Sequence, residues 1–309
     1  MLIPLCWGDR APARATVRVP PDHPPPRFVC WLLACLALGW AIPGDRALWA
    51  QSNEPPPSTQ SRQGAIQAIP FDEISDSARD RLQKVVSRPT IYRHVTAQVI
   101  ESDPDLHVFL VRHPEVVVGI WQLMDITRVK LRRTEPFRFD AEDGAGTVTR
   151  VELVYGRHDL HIYYAQGYYE GPLFGGRLYG ECVLVLRSRF TTRDRRDFVS
   201  NRMDIFLRTD HPAGEILLKT LHPLLGKAAD YNFVETTKFV SQISQASQTN
   251  GPGMERLAEQ LPNVDPAVRR AFSQHTEVAY QRALMRQIPE RPPRPAATAA
   301  AAAILEGDE

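Results

Sequence analysis

The sequence predicts an α+β unit in which seven antiparallel strands lie against a long helix that follows them. Three observations carry that expectation. Across residues 146–210 apolar and polar side chains alternate: Val151, Leu153 and Tyr155, then Leu160, Ile162 and Tyr164, then Cys182, Leu184 and Leu186, then Met203, Ile205 and Leu207. A period of two is what strands with one buried face require. Gly171-Pro172 and Gly175-Gly176 punctuate the block as a hairpin connection does. After Pro212-Ala213-Gly214 the period turns helical, and residues 229–248 read as a long helix with Phe233, Thr237, Val240 and Ser244 on one face.

Residues 1–50 form a leader. Arg27 precedes an apolar run over residues 28–42, closed by Pro43-Gly44. That run matches a signal-peptide core and falls short of the roughly 17–25 residues a spanning helix needs. Cleavage is expected near Ala50, with export to the periplasm or beyond; an N-terminal membrane anchor is the alternative. Cys6, Cys30 and Cys35 lie in the leader, which leaves Cys182 alone in the mature chain. A lone cysteine closes no internal disulfide, so an exported domain here rests on its core. No cysteine set for structural zinc exists either. Lys and Arg number 37 against 36 acids, a net charge of +1 that points to no polyanionic partner.

Residues 51–70, with Pro55-Pro56-Pro57 among Ser, Gln and Gly, read as a disordered spacer. The α+β domain spans 71–250. Ser75 is a candidate cap for a leading helix within 71–89 that carries Ala78, Leu82, Val85 and Val86. A first strand covers 90–101. Asp103-Pro104 opens a helix with Leu106, Phe109 and Leu110 as its stripe. A second short helix follows His113-Pro114, with Val117, Ile120, Trp121 and Met124 at helical spacing. Six more strands are expected at 126–133, 136–141, 146–156, 159–170, 177–192 and 197–210. Pro223 to Gly226 should break the long helix that follows. A helical extension at 251–288 contains a helix opened by Asp265-Pro266, with Val268, Phe272, Ala279 and Ala283 on its edge. A disordered Pro- and Ala-rich tail covers 289–309.

The order strand, helix, helix, six strands, long helix resembles the helix-grip fold of the START and polyketide-cyclase-like (SRPBCC) superfamily over residues 90–248. The resemblance is one of topology and rests on no diagnostic motif. It implies a curved sheet gripping the long helix, with a cavity between them that holds a lipid or another apolar molecule. On the strand register, the candidate lining is Trp121, Tyr155, Tyr164, Leu184, Met203, Phe233 and Val240. The expected role is an exported, non-catalytic domain binding an apolar, lipid-like ligand. Two alternatives stand beside it: a structural or interaction module of an exported or envelope assembly, and a cyclase- or dehydratase-type enzyme. Trp121 is expected between the second short helix and the sheet, near Phe233, Thr237 and Val240.

Catalytic chemistry finds little footing. His158 and His161 lie three apart, which in a strand sends them to opposite faces, so they read as surface histidines and not as a metal pair. Glu181 should face out and Cys182 inward, where an apolar setting leaves the thiol inert. The inward polar residues are Gln166, Cys182, Ser188 and Asn201, with Thr237 and Ser244 from the long helix. None is a general acid or base, so binding is favoured over catalysis and no cofactor is expected. Were Glu181, His161 or Tyr163 to face inward, a one-residue slip would be implied and the enzyme reading would gain. Arg187, Arg189, Arg193, Arg195, Arg196 and Arg202 make a basic hairpin that could meet an anionic membrane surface. The bland alternative is a solvated turn that keeps a sheet edge soluble. Nucleic acid is disfavoured, because no aromatic residues interleave with these arginines. Neither a phosphate-binding glycine loop nor a nucleophile elbow is present.

Overall fold

The computed structural model describes residues 59–287; the leader and the Pro/Ala-rich tail lie outside them. Two helices come first, α1 (Thr59–Gln67) and α2 (Asp76–Ser87), joined through a 3-10 turn at Phe71–Glu73. Then follow β1 (Ile91–Glu101), α3 (Pro104–Arg112) and α4 (Pro114–Leu123). Six strands run on as β2 (Lys130–Glu135), β3 (Arg138–Glu142), β4 (Thr147–Gly156), β5 (Leu160–Tyr169), β6 (Leu178–Arg193) and β7 (Arg196–Arg208). The described residues end in α5 (Pro212–Thr249), α6 (Gly251–Gln260) and α7 (Pro266–Gln287).

All seven strands form one antiparallel sheet in the order β1-β7-β6-β5-β4-β3-β2. Its inner face packs on α5, which makes the architecture a helix grip. Val151, Leu153, Tyr163, Ala165, Cys182, Leu184, Leu186, Met203, Ile205 and Leu207 share a single apolar cluster with Phe233, Val240 and Ile243 of α5. Sheet curvature needs close backbone approach at one place. A Cβ added to Gly167 would stand 2.1 Å from the Val148 carbonyl oxygen, and Gly167 pairs across the ladder with Gly180. Two facing glycines let the sheet bend there.

The outer face is buried as well. Ile162, Tyr164, Val183, Val185 and Phe206 form a second cluster with Leu82, Val85 and Val86 of α2 and with Ala65 and Ile69. Polar contacts fix α2 at the rim: Arg81 to Glu152 at 2.9 Å, and Lys84 to Glu181 at 2.6 Å. This second layer corrects the reading of residues 51–70 as a spacer throughout. Thr59–Gln67 is helical and Ala65 is fully buried, because this polar segment still supplies enough apolar side chains to dock.

The double covering also corrects the register of β5. Leu160, Ile162 and Tyr164 face outward, whereas His161, Tyr163 and Ala165 face α5. Tyr155 follows them outward. A bulge between Leu153 and Tyr155 shifts the pairing from Leu153 with Tyr163 to Tyr155 with Ile162, so the strand changes parity. Gln166 is exposed, not inward. His161 is buried, not on the surface.

The helices keep most of their expected bounds. Asp103 caps α3, its carboxylate accepting from the Asp105 and Leu106 amides at 3.1 and 3.0 Å. Ser75 precedes α2 without a side-chain capping bond. Met124 sits at the end of α4 and is exposed, off the buried stripe. The expected break at Pro223 is absent, and α5 runs through it. A proline removes one helical hydrogen bond, and here the rest of the helix holds its course against β1. Arg93 of β1 pairs with Asp230, and the Ser241 hydroxyl donates to the Glu101 carbonyl at 2.6 Å. Met254, Leu261, Val264, Val268, Phe272 and Ala279 belong to the inner cluster, so α6 and α7 are part of the core.

Leu82 tests the outer layer. It is fully buried between α2 and the sheet, so Leu82→Ala should cost about 2–5 kcal/mol in chemical denaturation. A neutral substitution would mean that α2 is a detachable appendage.

Candidate functional site

Five of the seven expected lining residues meet on the inner face: Trp121, Leu184, Met203, Phe233 and Val240. Trp121 is 1% exposed and packs its ring against Phe239 of α5, centroids 5.6 Å apart. All five are closely packed core residues. Tyr155 and Tyr164 lie on the other face, where their hydroxyls donate to Glu73 at 2.5 Å and Glu181 at 2.7 Å. The hydroxyls expected from α5 are occupied too. Thr237 donates to the carbonyls of Phe233 and Val234, and the Ser244 Oγ accepts from the Asp103 amide at 2.8 Å.

Polar chemistry on the inner face gathers at one end, where α3 crosses β5, β6 and β7. The Ser188 hydroxyl donates to the Asn201 Oδ1 at 2.8 Å, as cross-strand partners can. His107 of α3 reaches the same oxygen through Nε2 at 3.1 Å. His161 of β5 lies beside them, its Nε2 accepting from the Arg112 Nε at 3.2 Å. Tyr163, the next inward residue, donates to the Val111 carbonyl. His107, His161, Ser188 and Asn201 are all buried.

The proton positions follow from these partners. Asn201 Oδ1 only accepts, so His107 carries its proton on Nε2 and leaves Nδ1 as an acceptor. His161 accepts at Nε2, so its Nδ1 holds the proton. Among the described residues His107 Nδ1, His161 Nδ1 and Asn201 Nδ2 have no hydrogen-bond partner. One acceptor and two donors are thus buried with nothing to satisfy them. Orphaned buried polar atoms are uncommon in native folds and call for a cause.

Electrostatics keep both imidazoles neutral. Burial pushes His107 down to about 4, against a smaller upward pull from Asn201. His161 falls to about 3 through burial first, then through the Arg112 guanidinium and His107. Burial drives the Tyr163 phenol up. Conjugate acids this strong make poor general bases near neutral pH, and neither ring carries the second, acidic proton of an imidazolium to give. His161 and Tyr163 do face inward, yet the arrangement favours hydrogen bonding over proton transfer. Among the described residues no group of three potential ligands could hold a metal ion.

A cleft of about 760 Å³ reaches this end of the sheet, lined by Ser188, Phe190, His158, Asp159 and Arg187 among others. The Phe190 ring lies between the cleft and the cluster, 4.2 Å from His158 and 6.1 Å from His107. A larger cleft of about 1050 Å³ opens elsewhere, lined by Lys84, Arg132, Arg177, Glu181, Arg208 and Asp210 among others. Many of its charges are already paired: Lys84 with Glu181 and Asp210, Arg208 with Asp210, Arg132 with Asp140. Neither cleft is lined by any of the seven residues expected from the sequence. Sequence reasoning placed Ser188 and Asn201 inward correctly and missed His107 and His161.

No family model matches the chain, and no curated protein matches it. Solved structures align over about half of it. A conserved protein from Geobacillus kaustophilus is 11% identical, with 49% of this chain and 96% of that one covered at a TM-score of 0.32. Truncated norcoclaurine synthase from Thalictrum flavum is 11% identical, covering 47% and 94% at 0.29. Ara h 8.0201 is 9% identical, covering 47% and 99% at 0.26. Likenesses this distant assign neither family nor activity.

The neutral histidines make stability depend on pH. In the unfolded chain both would take up protons below about pH 6.5, while the folded chain resists until about 4 for His107 and about 3 for His161. Their contribution is therefore fully present above about pH 6.5 and falls as pH drops through that window, at up to about 1.4 kcal/mol per pH unit for each ring. His161→Gln should melt with a shallower pH dependence than the parent over this range. Equal slopes would show that His161 is not buried neutral.

Proposed function

We propose that this protein is a non-catalytic helix-grip binding domain whose ligand places a polar end against His107, His161 and Asn201 and an apolar body against the surrounding core. The observation that carries this reading is the set of three unpartnered polar atoms that His107, His161 and Asn201 bring to one end of the inner face. An acceptor beside two donors matches a hydroxyl or a carbonyl-bearing head, which can fill both roles. With both imidazoles uncharged, a neutral head suits the pocket better than an ion. A lipid-like molecule with a hydroxylated or carbonyl end satisfies these demands. Membership of the START and polyketide-cyclase-like superfamily fits the element order. Export fits the apolar run at residues 28–42 and would place such a ligand outside the cytoplasm.

The burial of Trp121, Leu184, Met203, Phe233 and Val240, none of which lines either cleft, favours a second reading, an interaction module with a solid core. The two part on a single experiment. Native mass spectrometry of protein from its own host, with thermal shifts across a panel of fatty acids, fatty alcohols and sterols, should reveal a bound amphiphile. Asn201→Leu should abolish the shift while the fold is retained. Protein recovered empty and indifferent to the whole panel would overturn the binding reading and leave the module.

A further inference from the structure

We propose that the outer face of the β6–β7 ribbon carries a second, oxyanion-binding site, built by Arg187, Arg189, Arg202 and Ser200, that takes a phosphoryl group. The pairing of β6 with β7 runs without a shift from Glu181 opposite Arg208 to Arg193 opposite Arg196. Within it Arg187 faces Arg202 and Arg189 faces Ser200. Odd positions of β6 and even positions of β7 share the outer face, so these four side chains form a rectangle. Its sides are about 5 Å across the ladder and about 7 Å along each strand. All four line the cleft of about 760 Å³, closed on another side by Ala68 after α1.

Arg187 is paired with Asp204 at 2.5 Å, but Arg189 and Arg202 have no acidic partner among the described residues. Two arginines directly opposite each other repel, and the carboxylates nearby are committed. Asp204 is fully buried and holds Arg187 Nη2 at 2.5 Å, but it also accepts from the Tyr92 hydroxyl at 2.8 Å and bonds His94 Nδ1 at 2.7 Å. Asp159, which also lines the cleft, lies 3.6 Å from Arg157. Arg189 and Arg202 are exposed, and Arg187 Nε is buried without a partner among the described residues. Two guanidinium forks without an acidic partner among the described residues, a third held by Asp204 and a hydroxyl line one cleft. Arginine forks match phosphate oxygens two at a time, and a tetrahedral group offers oxygens in enough directions to meet all four. The cleft has room for the alcohol to which a phosphate is esterified. Arg193 and Arg196 continue the same face towards the turn but do not line the cleft, and Arg196 lies 3.6 Å from Glu101. The basic hairpin is thus one pocket and its approach, more than a uniform patch. The site is on the opposite face of the ribbon from His107 and Asn201, and it stands whether or not that cluster binds anything.

A phosphoryl group could arrive on a soluble ester or on a lipid headgroup, and the same variants separate the two. The full chain is titrated calorimetrically with inorganic phosphate and with glycerol 3-phosphate. It is also floated with vesicles of phosphatidylcholine, with and without phosphatidylglycerol. Arg187 is left in place, since removing it would strand Asp204. Saturable phosphate binding is expected, weakened about tenfold by Arg189→Gln or Arg202→Gln and about a hundredfold by the pair. Arg132→Gln, on the far edge of the sheet, should change nothing. Phosphate and ester binding without flotation supports the site with a soluble ligand. Added flotation that needs phosphatidylglycerol and disappears in the double variant supports it with a lipid headgroup. No saturable phosphate binding, equal binding by the double variant, or flotation that survives it would overturn the proposal.

Discussion

The constraint on which this structure depends is a sheet buried on both faces at its centre. On β6 the run Cys182–Leu186 is buried at every position, odd and even alike. The inner residues meet α5, and the outer residues meet α2. Each layer removes apolar surface worth roughly 25 cal/mol per Å², and neither parity of the strand is left to water. Polar chemistry is therefore pushed to the strand ends. It resumes on consecutive residues of one strand, Arg187 facing outward and Ser188 inward, where the two coverings give out together. That is why two polar clusters of different character sit back to back on the same short length of ribbon.

One acidic side chain interrupts the outer layer. Asp204 is wholly buried among apolar neighbours, a setting in which a bare carboxylate would cost several kcal/mol. Tyr92, His94 and Arg187 together satisfy it, and two of the three come from the edge strand β1. The acid consequently fastens β1 to β7 and orients Arg187. The cost of burying the charge is offset by hydrogen bonds that also organise the cleft.

Much of the fold was legible in the sequence because strand number, the order of elements along the chain and the Asp103-Pro104 start are local signals. What escaped follows from the double burial. On β5 the residues His161–Ala165 are all buried, so alternation carried no information about which face met α5. Tyr163 and Tyr164 were equally good inward residues on pattern alone. The bulge after Leu153 left no mark in the sequence beyond one extra residue, and it sent Tyr155 outward with Tyr164. Helix α1 was hidden because Ala65 and Ile69 are sparse among Ser, Gln and Arg. Of the interior cluster, Ser188 and Asn201 were visible by parity. His107 was passed over between Leu106 and Phe109, and nothing local places it against Asn201, 94 residues away.

The helices beyond Gly251 bear on that cluster through α3, above all at Asp103. Asp103 caps α3 with Oδ1, accepts from Arg282 of α7 through Oδ2 at 2.9 Å, and gives its own amide to Ser244 of α5. Three helices are joined at a buried carboxylate. Arg282 also reaches Asp105, and Arg286 pairs with Asp197 at the start of β7. His107 and Arg112 are both on α3, one turn and more beyond that joint. The rotation and depth of α3 decide whether His107 reaches Asn201 and whether Arg112 meets His161. A helix of nine residues is too short to hold its position by propensity alone. The packing of α7 does so instead, which makes the C-terminal helices part of the site's scaffold although they place no side chain in it.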